Sequence, residues 1–528
     1  MDRGHLGPAG LGRNGFVLAA RVVAVAPGVS GDALWWEAGR IRAVGAAADV
    51  ARLVPPGTSV YELPDAWVTP GFVDAHTHFA TWALGRRRVQ LAGARTRAEA
   101  LTRIAAAVPV AGWILGQGWD SNAWEVPPDR GALDAVHDAG PVYLDSLDLH
   151  AAWLNSAALA AARIGRDTPE PFGGRIVRDA AGEPTGLLLD RAVELALPAL
   201  PAPPDDVLLA ALVEGQAEAH RLGVTGIHDV ETEQVLAAFR RLEAEDALRL
   251  RVLFHPPAAA LTRLVAEGVR SGQGSDWLAI GGVKLFLDGS LGKQTAWMLA
   301  PYEGSRDRGM PITTVEYARE AVRVAAGAGI AATVHAIGDA AVRRALDLLA
   351  EAPRVGIPHR IEHFQCVHPA DLGRAAGLGI VVSMQPAHLL SDIPLVERFW
   401  GARGQGAYAF RSVLAAGTTL AFGSDVPVAS IDPREGVYAA TTRVGEDGTP
   451  AVGWRPEERL DFAAALRAYT EGAALAAGAG HRRGTLAPGR DADLVAWEVD
   501  PALAAEPAAF RHARARLTVV GGEVVMRA

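Results

Sequence analysis

Two histidines, His76 and His78, end the run Trp67-Val-Thr-Pro-Gly-Phe-Val-Asp-Ala-His-Thr-His-Phe79 and are the first residues in the chain able to act as a chemical pair. Val68, Phe72 and Val73 mark the run as a buried strand, and Pro70-Gly71 bends its entry. Side chains on a strand alternate with period two, so both imidazoles leave it on one face. A neutral imidazole is a frequent ligand of zinc-like ions, and two on a rigid edge make half a site. More donors follow where later apolar runs end: His335 in Ala331-Ala-Thr-Val-His-Ala336, His363 in Arg360-Ile-Glu-His-Phe364, and Asp425 in Leu420-Ala-Phe-Gly-Ser-Asp425. Four nitrogens and a carboxylate exceed the needs of one four-coordinate zinc. They suit two ions, or one ion with an acid-base beside it.

Lys284 lies inside the apolar run Gly282-Val-Lys-Leu-Phe-Leu-Asp288. An ammonium buried there beside dications would be costly. Three readings stay open: its pKa is driven down, it is carbamylated by carbon dioxide to an anion whose two oxygens bridge metals, or it turns to the helical layer and reaches water.

These residues need a frame. Counting the His-x-His run, eight apolar runs alternate with helical stretches: those beginning at Thr225, Leu250, Gly282, Ala331, Arg360, Ile380 and Leu420, with helices such as Val315 to Ala326 and Ala340 to Glu351 between them. The rhythm predicts an α/β fold, a (β/α)₈ TIM-like barrel over residues 67–80 and 213–483, with chemistry at the carboxyl ends of its strands. Residues 81–212 break the rhythm and are too long for a loop. They predict an inserted α+β subdomain after the first barrel strand, near the active site. Short strand-like runs in residues 16–66 and 484–528 predict a composite β-sandwich built from both termini. Met1 to Gly15, rich in glycine and charge, reads as a flexible tail without a signal-peptide core.

The 528 residues carry 51 Lys and Arg against 60 Asp and Glu, a net charge of −9, with half the residues apolar. Such a chain offers no electrostatic footprint for nucleic acid or anionic lipid. It contains no apolar run of membrane-spanning length. One cysteine, Cys366, excludes a disulfide framework and points to the cytoplasm.

The motifs Pro70 to Phe79, Gly112 to Asp120, His150 to Ser156, Lys284 to Gly292, His335 to Asp339, Arg360 to Gln365, Ser383 to His388 and Phe422 to Asp425 occur in one order across most of the chain. On these the chain resembles the metal-dependent amidohydrolase superfamily, and within it the YtcJ-like group that includes N-substituted formamide deformylases. The resemblance implies that His76 and His78 bind one metal with Asp425, that His335 and His363 bind a second, and that a carboxylated Lys284 bridges them. A one-metal version, with His363 or Lys284 off the metal, stays open. The sequence departs from the pattern at Lys293-Gln-Thr295, where relatives often carry Ser-Arg-Thr.

The expected activity is hydrolysis of a C–N bond, in an amide, N-acyl or N-formyl small molecule, by a metal-activated hydroxide with Asp425 as acid-base. The expected cofactor is one or two divalent ions, zinc first, with N6-carboxylysine at Lys284. Cyclic-amide hydrolysis or hydrolytic deamination is the runner-up, and a catalytically silent scaffold the reading from another class. His150, Trp119, Trp153, Phe286, Trp297 and His388 are candidates for the substrate pocket. Asp339 and Glu362 neighbour ligands and are candidate acceptors for ring N–H groups. The partner expected is a small-molecule amide, with no nucleic acid or membrane; self-association is left open.

Overall fold

A computed structural model of the chain describes residues 13–122, 124–445, 447–498 and 509–528; most of the expected N-terminal tail, residues 1–12, lies outside them. The fold is mixed α/β. Two parallel sheets form its centre, one running Phe72–Thr77, Val224–Val230, Arg251–His255, Leu278–Ile280, the other Val283–Phe286, Ala332–Ala336, Arg360–His363, Val381–Met384, Thr419–Phe422. In both, the parallel strands lie side by side in their order along the chain.

The edges of the two sheets are tied at two places. Thr77 bridges Val426, and the His76 carbonyl accepts from the Asp425 amide at 2.7 Å. Pro257 bridges Lys284, whose amide donates to the Pro256 carbonyl at 2.8 Å. The first tie requires glycine at 423, where a Cβ would lie 2.4 Å from the His76 nitrogen. That close approach brings Asp425 beside the His-x-His pair.

Helices cover the sheets by the spacing that the sequence carries. Val315–Gly327 starts at Thr314, whose side chain accepts from the Tyr317 amide, and buries Ala318, Ala321, Val322, Ala325 and Ala326. That i, i+3, i+4, i+7, i+8 stripe is the apolar face of an amphipathic helix.

The segments from both termini join in one continuous seven-stranded sheet. Its strand Val60–Pro70 pairs on one side with Gly15–Val22 and on the other with Leu494–Glu498. Trp67 to Pro70, placed with the barrel by their apolar pattern, therefore belong to this terminal sheet. The chain passes through Gly71 straight into Phe72–Thr77, so the strand carrying the histidines is anchored in both sheets. Asp493 of the terminal segment holds the Arg251 guanidinium at 3.0 and 3.1 Å, a two-pronged pairing at the base of the parallel strands.

Residues between the first and second parallel strands form a six-stranded mixed sheet, from Val89–Gln90 to Pro184–Asp190, with its own apolar core. It docks on the loop after Val283–Phe286: Ser290 Oγ donates to Asp148 Oδ2 at 2.8 Å, and Lys293 Nζ stands 3.6 Å from Asp148 Oδ1.

Candidate metal centre

At the ends of the parallel strands His76, His78 and Asp425 converge. His76 Nδ1 donates to Glu362 Oε2 at 2.5 Å, and His78 Nδ1 donates to the Val230 carbonyl at 2.7 Å. With both Nδ1 protons engaged, Nε2 is the nitrogen each ring turns to the site. Burial opposes a charge on His78, but Asp425 outweighs it and raises the pKa, so that ring must give up its Nε2 proton to ligate. The two Nε2 atoms lie 3.5 and 3.3 Å from the same oxygen, Asp425 Oδ1. All three ligand atoms fall within 4.8 Å of one another. Two neutral imidazole nitrogens and a carboxylate oxygen are a donor set that suits a divalent, zinc-like ion.

Lys284, His335 and His363 crowd the same end. Lys284 Nζ is 3.4 Å from His76 Nε2 and sits over the Phe286 ring, 4.7 Å from its centroid. The His363 ring lies 5.1 Å from His76 and 4.4 Å from His335, centroid to centroid. His363 Nδ1 faces Gln385 Oε1 at 2.9 Å, and His335 Nε2 faces the Gly289 carbonyl at 3.3 Å. Thus all six residues singled out by sequence share one neighbourhood, while the tight ligand group is His76, His78 and Asp425.

Burial sets the charge states. It pushes Lys284 down to about 8 and His76 to about 4, and it holds His335 and His363 well below the ordinary imidazole range. The three imidazoles are neutral near pH 7, the form in which imidazole ligates a metal, while Lys284 is still largely an ammonium there, with a minor neutral fraction. Burial opposes ionisation of Asp425, but His76, His78 and His363 overcome it and keep that carboxyl well below the usual range. Backbone strain gathers here too: His363, Phe364 and Asp425 have φ of 71°, 46° and 59°. Left-handed non-glycine residues are uncommon and cluster at functional sites.

Beneath the ligands runs a chain that the local spacing of residues gave little sign of. Arg360 is buried inside the sheets, its Nε and Nη2 on the two Glu362 oxygens at 2.5 and 2.9 Å, its Nη1 on His228 Nδ1 at 2.8 Å. Glu362 is thereby the acceptor expected for a ligand's ring N–H. The period-two spacing of Arg360 and Glu362 was the available signal, and it puts both side chains on the face opposite that of His363. His363 reaches the site through its left-handed backbone at the strand end.

Asp339 is not such an acceptor; its Oδ1 accepts from the Leu299 amide at 2.7 Å. Asp288 does the related work, receiving the amides of Trp297, Ile337 and Gly338, 3.5 Å from His335 Nε2.

Above the ligands opens a cavity of about 1100 Å³, lined by His150 and His388 among others. His150 Nδ1 meets Asp190 Oδ1 at 2.7 Å and its ring lies 5.4 Å from that of His335, so the insertion reaches the centre. Trp119 and Trp153 are not on the cavity wall: they pack with Trp124 in the insertion's core, their indole N–H groups bonded to the Leu144 and Asp129 carbonyls. Phe286 lies under Lys284 and His335, and Trp297 packs against the central core, both off the wall. A large apolar aromatic reads alike in sequence whether it lines a core or a pocket.

Residues 60–526 match the Amidohydrolase family model, and the chain belongs to the amidohydrolase family. It is 33% identical to Protein LONG AFTER FAR-RED 3 of Arabidopsis thaliana, over 88% of this chain and 83% of that one. It is 31% identical to the putative amidohydrolase YtcJ of Bacillus subtilis (89% and 91% covered) and 28% identical to N-substituted formamide deformylase of Arthrobacter pascens (88% and 89%). Among solved structures it is similar to an uncharacterized metal-dependent hydrolase from Pyrococcus horikoshii, with a TM-score of 0.76, 27% identity, and 94% and 99% of the chains covered. Among the described residues no helix is long and apolar enough to cross a membrane.

Proposed function

We propose that the chain is a cytoplasmic, metal-dependent hydrolase of C–N bonds in a small amide, N-acyl or N-formyl amine, working at the rim of a (β/α)₈ barrel formed by the two parallel sheets. The observation that carries this reading is the aim of His76 Nε2 and His78 Nε2 at one oxygen of Asp425, at the floor of a large cavity. The similarity to N-substituted formamide deformylase supports the choice of bond.

His76, His78 and Asp425 would hold one ion, and His335 and His363 a second, with carboxylated Lys284 between them. A bound zinc ion supplies Lewis-acid polarisation of a carbonyl and a lowered pKa for water. The chain's own residues supply the rest. Asp425, ionised and at the cavity floor, takes the proton from the attacking water and returns it to the departing nitrogen. Glu362 and the Val230 carbonyl keep the two ring tautomers fixed. His150, oriented by Asp190, faces substrate from the insertion.

Metal analysis of the purified protein, followed by a screen of N-acyl and N-formyl amines, tests the reading. Stoichiometric zinc, iron or manganese with turnover of at least one amide is the expected result. A protein that takes up no divalent metal and stays inert after reconstitution would be the scaffold instead.

Lys284 carries a separate expectation. Burial lowers its pKa to about 8, so neutral amine is available to add carbon dioxide, forming an N–C bond and releasing one proton. Native mass spectrometry should find the mass of one carbon dioxide on the protein, lost on acidification and missing from Lys284→Met. An adduct that persists in that variant would place it elsewhere.

A further inference from the structure

Outside the metal centre, two carboxylates of the cavity wall, Asp120 and Asp392, pair with no Lys or Arg among the described residues. Of the acids lining the cavity, Asp148 stands 3.6 Å from Lys293, Glu218 3.8 Å from Arg86, Asp432 pairs with Arg434 and Glu435 with Arg511. Asp120 turns back to its own loop and accepts from the Asn122 amide and side chain at 3.0 and 2.7 Å. Asp392, on the helix His388–Phe399, differs. Gln365 Nε2 and the Tyr408 hydroxyl both donate to its Oδ2, each at 2.6 Å. Gln365 and Tyr408 are buried, so two neutral donors fix the carboxylate from behind. Its other oxygen, Oδ1, has no hydrogen bond and neither oxygen pairs with a Lys or Arg among the described residues; the His388 imidazole is its basic neighbour.

A half-buried carboxylate on a cavity wall, fixed by neutral donors and left without a Lys or Arg, is a candidate ligand-binding group. Gln365 stands two residues past His363, so the fixed carboxylate belongs to the same chamber as the proposed reaction centre. Arg95, a lining cation, is exposed at the rim.

We propose that Asp392 Oδ1 binds a cationic nitrogen of the substrate, which makes the preferred substrates amides that carry an ammonium group away from the scissile bond. This rests on the amide-hydrolase reading and names its substrate class. Gln365 and Tyr408 act through Asp392, as positioning residues.

The test pairs each ammonium amide with a neutral isostere, for instance N-(4-aminobutyl)formamide with N-pentylformamide, in the metal-loaded protein and in Asp392→Asn. The expected result is that wild type favours the ammonium member at least tenfold in kcat/KM, through KM, and that this ratio collapses in the variant. Because the ratio is taken within one preparation, partial misfolding does not alter it. An unchanged ratio, or a wild-type preference for neutral members, overturns the proposal.

A binding arm separates the two readings. Calorimetry with 1,4-diaminobutane should give at least tenfold weaker binding to Asp392→Asn than to wild type. If that difference holds while no amide is hydrolysed, the cation site stands and the hydrolase reading falls. If wild type and variant bind the diamine equally, or neither binds it, the cation site falls whatever the turnover.

Discussion

Asp425→Asn is expected to lower kcat by about a thousandfold or more, within the 10²–10⁴ range of a lost general acid-base plus the cost of a weakened metal ligand. The asparagine keeps the volume and one oxygen but has no negative charge and cannot take the proton of the attacking water. It also suits the backbone, since Asp425 has φ of 59° and asparagine is among the few side chains that tolerate that region. Loss of activity should therefore come without loss of fold. Thermal melting and metal content of the variant check this, and stopped-time assays on the best amide read the rate. Wild-type kcat in a folded, metal-loaded variant would remove Asp425 from the role of acid-base.

What could be read from the chain divides by range. His76 and His78 were legible because alternation puts residues two apart on one strand face, whatever the fold around them. His335, His363 and Asp425 were legible as polar residues ending apolar runs, and Lys284 as a cation where none should be stable. Helix Val315–Gly327 followed from its apolar spacing. The boundary at Gly71 did not, because Trp67–Pro70 and Phe72–Thr77 read as one mainly apolar run that only sheet pairing divides. Asp339 and Asp288 could not be ranked without knowing which loop amides come to rest beside each. The pairing of His76 with Glu362 spans 286 residues, and nothing local to either one announces it.

Arg360 offers the second large effect, because its charge decides which nitrogen of His76 carries the proton. Burial would favour the neutral acid at Glu362, but Arg360 and His76 hold that carboxyl well below its usual range. Ionised Glu362 can only accept, so His76 must donate from Nδ1 and leave Nε2 free for a metal. Arg360→Met takes away two charge-assisted bonds and the countercharge together. Glu362 then gains by taking up a proton, becomes a donor toward Nδ1, and drives His76 to the tautomer that cannot ligate. Metal affinity, measured by competition with a chelator, should fall at least about 10- to 100-fold, and stability by about 3–5 kcal/mol for a broken buried pair. Arg360→Lys keeps the charge but not the two-pronged geometry, so its affinity should fall between those of wild type and Arg360→Met. Glu362→Gln cannot become a hydroxyl donor and can still accept from Nδ1 through its carbonyl, so it should lose less affinity than Arg360→Met. An affinity order that follows thermal stability, and not this ranking of tautomer control, would reduce Arg360 to a structural residue.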